Sequence, residues 1–369
     1  MITIVSCSHY PDDERIYHKE IKTLTEKKYN INYFTLSASE QNLSNKYINH
    51  INYNSATTTI KEYMDLVELK IIETPTKVIH IHEPELFSLA SKIKKMLGAK
   101  IIYDVHEDYI SMIYTFSKWN KYIKYFREKY WLLKEKNFLK KVDEIIIASS
   151  TIVNSDFKTQ GFSPLLLENF PTKTSIVDID PRLKIKNSLI YHGNMGPERG
   201  IVELIEAMSH VVKIIPDATL SLIGGFRTIE YKKEVNSRID ILGMRRYISL
   251  QDHILHRDVW QYLAKHTLGI IPFNENPLTT INTPTKLFEF MVSGCQLVVP
   301  DLRPITKYDF KAAKFFKPGD VKNLSDSIIK SLKDNDYDGI EYNVNKVKSD
   351  YNWENNSYKL IELYNRVLS

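Results

Sequence analysis

Short apolar runs alternate with amphipathic stretches along almost the whole chain. In the first half, Ile2–Cys7, Ile31–Leu36, Val78–His82, Ile101–Val105 and Glu144–Ala148 have the length and branching of buried strands. Between them, Asp13–Lys28 and Glu85–Leu97 carry apolar residues at helical spacing. The rhythm restarts at Leu189–His192 and continues through Thr219–Ile223, Ile248–Gln251, Leu268–Pro272 and Gln296–Pro300. Such βαβ alternation predicts parallel sheets covered by helices, hence an α/β protein of two Rossmann-like domains. The expected division is a domain over 1–168, a linker over 169–186 holding Pro171 and Pro181, a domain over 187–350, and a last helix over 351–369.

Composition narrows the class without changing this picture. The 369 residues suffice for two cores, and 43% hydrophobic with 11% aromatic content excludes a disordered chain. No run reaches the roughly 20 apolar residues of a membrane span. The opening Met1–Ser8 reads as a strand, not a secretory leader. Cys7 and Cys295 read as small buried hydrophobes in a reducing, cytoplasmic setting. The net charge of +5 suits an anionic ligand or surface, and no motif points to nucleic acid as a partner.

Candidate chemistry concentrates at strand ends. The stretch Asn282–Asp301 reads as a helix capped by Thr283, with Pro284 in first position, Leu287 behind Lys286, and Gly294 at the end, feeding a strand. Lys286 and Glu289 share a helix face, and Lys286 sits at the positive end of the dipole, where a bound phosphate would relieve it. Glu289 offers two oxygens to neighbouring hydroxyls. The stretch His192–Gly200, with Asn194 and Arg199, closes a strand and can cradle phosphate. Gly224, Gly225 and Phe226 end another strand, where a flat ring could lie on the backbone. No glycine precedes Gly98, so a dinucleotide fingerprint after the first strand is absent and a dehydrogenase is disfavoured.

Three further loops, around His9–Arg15, His80–Glu85 and Asp104–Asp108, share the rim that faces the ligand crevice in open α/β sheets. Their histidines and carboxylates also permit a metal site, although most such sets bind none. Finally, Ser111–Lys141 interleaves lysines with Trp119, Tyr122, Tyr125, Phe126, Tyr130 and Trp131. That pattern fits either an anionic membrane surface or a long domain helix with solvated lysines.

Together, His9–Glu20, His82–Leu86, Tyr103–Tyr109, Glu198–Ile201, Thr285–Gly294 and Tyr351–Glu354 resemble family 4 of the glycosyltransferases, of the bacterial surface-polysaccharide type. The resemblance implies a GT-B fold: two Rossmann-like domains with parallel sheets facing across a cleft, the last helix crossing back to the first. It implies metal-independent, retaining transfer from a nucleotide-diphosphate sugar, UDP-linked before GDP-linked, to a lipid-linked or polysaccharide acceptor. No cofactor beyond the donor is implied, and the enzyme would work in the cytoplasm or at the inner membrane face. Asn194, Arg199, Gly225, Phe226, Asn282, Thr283, Lys286, Leu287 and Glu289 would bind the donor on the second domain. His9, Arg15, His82, Glu85 and His106 would lie on the acceptor side. His106, Glu107, Arg199 and Lys286 would carry catalysis. Two positions depart from the family pattern: Ile281 replaces the first glutamate of a Glu-x7-Glu pair, and Asn194 an arginine. An epimerase of the same fold and a non-catalytic sugar-nucleotide binder remain the alternatives.

Overall fold

In the first unit seven parallel strands form one sheet: β1 (Ile2–Ser6), β2 (Ile31–Leu36), β3 (Ile48–Tyr53), β4 (Val78–Ile81), β5 (Lys100–Val105), β6 (Glu144–Ile147) and β7 (Leu165–Leu166). Their order is β3-β2-β1-β4-β5-β6-β7. The second unit holds a six-stranded parallel sheet ordered β10-β9-β8-β11-β12-β13. Its strands are β8 (Ile185–His192), β9 (Thr219–Ile223), β10 (Ile248–Gln251), β11 (His266–Ile270), β12 (Gln296–Pro300) and β13 (Ala313–Phe316). Every residue of β1 and β12 is buried, as strands covered on both faces require.

The computed structural model describes residues 1–152, 157, 159–175, 184–252, 254, 256–334 and 336–369. The two units are Met1–Asn169 with Trp353–Ser369, and Phe170–Asn352. Residues 176–183 of the expected linker lie outside the described residues.

Strands β3, β7 and β13 escape the hydrophobic pattern. All three are sheet edges, where short or polar strands suffice: β3 reads Ile-Asn-His-Ile-Asn-Tyr, and β7 has two residues. Helices depart from expectation in two places. Asp13–Lys28 contains a π-helical turn, Ile16–Ile21, running into the α-helix Lys22–Glu26. Ser111–Lys141 is two helices, Tyr109–Phe116 and Lys121–Leu139, because Asn120 caps the second by accepting from the amides of Tyr122 and Ile123.

The helix Glu354–Leu368 belongs to the first unit. Leu360, Leu363 and Tyr364 join Ile2, Ile4 and Val78 in its core. Just before it, the Trp353 indole N–H donates to Thr23 Oγ1 at 2.9 Å.

Both sheets reverse their winding at one point, between β1 and β4 and between β8 and β11. Crossover connections diverge there, leaving a crevice at the carboxyl ends of the strands. Each unit therefore has one topologically favoured place for a ligand.

Candidate functional site

In the second unit the switch point lies at the end of β8, where His192 leads into Gly193. Gly193 has φ +106, and a Cβ there would meet Lys286 Nζ at 3.3 Å. Gly224 is needed for backbone passage, because its Cβ would fall 2.3 Å from the Gly193 carbonyl oxygen. Only Gly225 of that pair faces open space, so the flat-ring reading applies to one glycine and not two. Phe226 sits beside it, pairing by a parallel bridge with Met195 and receiving the Lys232 ammonium 5.7 Å from its ring centroid.

Lys286 opens the helix Lys286–Val292. Its ammonium lies 4.8 Å from the Tyr191 ring centroid and 5.0 Å from that of Phe273. Among the described residues no carboxylate comes within ion-pair distance of it. Burial first, and then the Arg199 charge, pulls its pKa down to about 7. Arg199 also stacks on Phe273, with the guanidinium carbon 4.5 Å from the ring centroid, and contacts Glu198 at 3.3 Å. Glu198 is further held by Arg227 at 2.8 Å. Two cations thus meet over one aromatic ring, and of the nearby carboxylates Glu198 pairs with Arg199 while Glu289 stays outside ion-pair distance of Lys286, which is a field that favours an anion.

The helix start differs from expectation. Thr283 does not cap it: its hydroxyl reaches the Pro304 carbonyl and Tyr308 hydroxyl, both at 3.3 Å. Pro284 instead accepts from the Leu287 amide, so a tight turn precedes the helix. Leu287 is buried in the core and Asn282 is half-buried. Glu289 turns toward His192, whose Nε2 lies 2.9 Å from Oε2, while Lys286 forms no ion pair with it. His192 opens the stretch that the sequence singled out, but its pairing with Glu289, nearly a hundred residues away, could not be read from it. Asn194 is exposed, and its carbonyl accepts from Tyr191. Asn274 and Asn276 brace their loop by donating to the Pro197 and Glu198 carbonyls, while Asn274 Oδ1 is buried without a hydrogen-bond partner.

The first unit's switch point is the end of β1 against β4. A cavity of about 400 Å³ opens there, with His9, His82, Glu83, Glu85, His106, Glu107 and Tyr109 among its lining residues. Glu83, absent from the expected site, is its anchor. Its Oε1 accepts from Ser6 Oγ at 2.6 Å, from Ser8 N at 3.1 Å and Ser8 Oγ at 3.0 Å, and meets His9 Nδ1 at 2.8 Å. Burial pulls the His9 imidazole down, but the Glu83 carboxylate outweighs it and raises its pKa to about 8. At neutral pH the pair is therefore charged.

Behind the cavity lies a buried polar network. Arg15 grips Asp104 with Nη2 at 2.9 and 3.0 Å and gives a 2.6 Å bond to the Leu167 carbonyl. Burial pushes the Asp104 carboxyl up, yet Arg15 and His106 hold it well below its ordinary range. Glu20, 3.0 Å from Arg15, goes the other way, raised by burial and by Asp104. Arg15 was expected on the acceptor side; its side chain is 4% exposed and does not line the cavity. His106 does, with Nε2 3.0 Å from His82 Nδ1 and 3.4 Å from Asp104. His80 contacts the Tyr364 hydroxyl at 2.8 Å.

Glu20, His80, His82 and Asp104 bring four ligand atoms within 4.8 Å of one another. The Arg15 guanidinium already supplies positive charge at both carboxyls, so a divalent ion there would face like-charge repulsion in a buried site.

Residues 186–334 match the family model described as "Glycosyl transferases group 1". That match lies within the second unit and spans under half of the chain. No curated protein sequence matches. Among solved structures, a sucrose-phosphate synthase from Thermosynechococcus elongatus superposes with TM-score 0.81 at 14% identity, over 100% of this chain and 98% of that one. Anabaena HepE in complex with UDP-glucose gives 0.75 at 13% identity, over 99% of each chain. WaaG, a glycosyltransferase involved in lipopolysaccharide biosynthesis, gives 0.67 at 14%, over 98% and 99%. The architecture is GT-B.

Proposed function

We propose that the chain is a retaining glycosyltransferase that moves a sugar from a nucleotide-diphosphate sugar to a hydroxyl of a lipid-linked or polysaccharide acceptor. The observation that carries this reading is Lys286: a half-buried ammonium at the second switch point, beside Gly193 and Arg199, with no carboxylate of its own. A diphosphate would supply the missing countercharge. Glu289, beside His192, would hold the ribose, and Gly225 and Phe226 would border the base. A UDP-sugar is favoured over a GDP-sugar, supported by the UDP-glucose seen with the HepE relative.

In the reaction the bond between the sugar's anomeric carbon and the phosphate oxygen breaks, and its electrons go to the leaving diphosphate. Arg199 and Lys286 would stabilise that charge from fixed positions, an effect of several kcal/mol in a dry site. The acceptor oxygen bonds to the anomeric carbon on the same face, and its proton passes to the departing phosphate. His106 and Glu107, on the wall of the first unit's cavity, would orient the acceptor.

Because the free Lys286 titrates near pH 7, donor binding above that pH must take up a proton. Affinity is expected to hold steady below about pH 7 and to fall above it by up to roughly tenfold per pH unit. Thermal-shift titrations with UDP-, GDP- and ADP-sugars at about pH 6 and about pH 9 test both points. A larger shift with the UDP-sugar at the lower pH is expected; no shift with any donor at either pH would sink the reading.

The acceptor's lipid is supported by the helix Lys121–Leu139. Phe126 is 70% exposed and Leu133 63%. Of its two acids, Glu135 is buried and Glu128 is half-buried, accepting from the Tyr114 hydroxyl at 2.8 Å. No exposed residue from Lys118 to Lys141 is acidic. A solvated domain helix has no need of this aromatic, wholly basic face, whereas an anionic leaflet matches it. The protein is expected to float with vesicles containing phosphatidylglycerol, and Phe126→Ser with Leu133→Ser to lose most of that binding. A chain left entirely in solution would overturn the membrane-contact reading.

A further inference from the structure

The cavity of the first unit has a chemical character that the proposed reaction does not require. Three of its lining residues, Glu83, Glu85 and Glu107, are acids, and none is lysine or arginine. His9, charged at neutral pH, already pairs with Glu83. Glu85 and Glu107 are exposed at the wall and make no ion pair among the described residues. Glu83 is 4% exposed, and while its Oε1 takes every donor around it, Oε2 is buried without a hydrogen-bond partner. An acceptor oxygen left in that state favours a ligand or water that brings O–H or N–H groups. Tyr109 adds a flat surface, fixed by stacking on Trp131 with ring centroids 4.1 Å apart.

Carboxylates that accept from neighbouring hydroxyls, beside a rigid aromatic face, suit a pyranose ring. The same carboxylates repel an anion. We infer that this cavity binds the acceptor's terminal sugar as a neutral or amino-bearing ring, and that Glu85 and Glu107 exclude uronic acids and sugar phosphates.

The inference rests on the reading of the first unit as the acceptor side, but its test needs no donor. Saturation-transfer NMR on the full chain would measure binding of methyl glucoside, methyl glucosaminide, glucuronate and glucose 6-phosphate. The first two are expected to bind at least roughly fivefold more tightly than the anionic pair, since a like charge about 4 Å away costs on the order of 1 kcal/mol even in water. In E85Q/E107Q glucuronate should come within about threefold of methyl glucoside, and Tyr109→Ala should weaken all four. Anions binding as well as neutral sugars, or no sugar binding at all, would overturn it. So would exclusion of glucuronate that survives E85Q/E107Q. If neutral sugars bind here but no nucleotide sugar binds anywhere, the transferase reading fails and this one stands; transfer to a uronic acid terminus would do the reverse.

Discussion

Lys286→Met is expected to unfold at a higher temperature than the parent chain and to transfer sugar about 10²–10³-fold more slowly. Both effects have one cause. The ammonium lies over the rings of Tyr191 and Phe273, in the field of Arg199, and burial and that neighbour both work against its charge. Methionine keeps the length of the stem and the contact with the rings while removing the charge. The gain should be roughly 2–4 °C, the size of a 1 kcal/mol change in a domain of this length. The same charge is what the leaving diphosphate needs, so stability and activity move in opposite directions. Calorimetry and initial rates on one preparation decide the matter. Full activity would remove Lys286 from the donor site, and a lower melting temperature would mean that its charge is better satisfied than its surroundings indicate.

Arg15→Met is the converse case, expected to cost about 3–5 kcal/mol of stability. The guanidinium bridges Asp104, Glu20 and the Leu167 carbonyl with almost no exposure. Its removal strands the Asp104 charge in the interior beside a second carboxyl. The sign with pH follows from the shifts. In the parent chain Asp104 is held below its ordinary value of 3.8, so its contribution is present above that pH and lost as pH falls through the folded value. Without Arg15, burial prevails and the folded value rises above the ordinary one. The deficit should then be greatest near neutrality and shrink toward about pH 4, as protonation discharges the stranded group. Urea unfolding of both chains across that range measures it; a constant deficit would show that Arg15 acts by packing alone.

How much of this was legible in the sequence differs between the centre and the rim. The central strands announced themselves because they are buried on both faces, so their apolar runs are unbroken. The edges β3, β7 and β13 did not, since an edge strand needs neither length nor uniform hydrophobicity. At the sites, residue type located the loops but not the partners. Lys286 and Glu289 share a helix face by spacing, yet tertiary contacts send one to an aromatic bed and the other to His192. Thr283 looked like a cap until Pro304 and Tyr308 offered its hydroxyl other bonds. Arg15 lies in a rim motif, but Asp104 and Leu167, distant in sequence, draw it inward. Glu83 was hidden for the opposite reason, because its importance comes from Ser6, Ser8 and His9 converging on one oxygen.

The helix Glu354–Leu368 also fixes an order of events at the ribosome. It completes the core that begins with Ile2 and Ile4, and its Tyr364 closes on His80. That helix emerges only after Phe170–Asn352 has been translated in full. The half of the protein made first is therefore finished last, and it waits through the synthesis of the other with the apolar surface meant for Leu360, Leu363 and Tyr364 uncovered. The contiguous half can fold as it appears, so the nascent chain's exposure to chaperones and proteases falls on its older part.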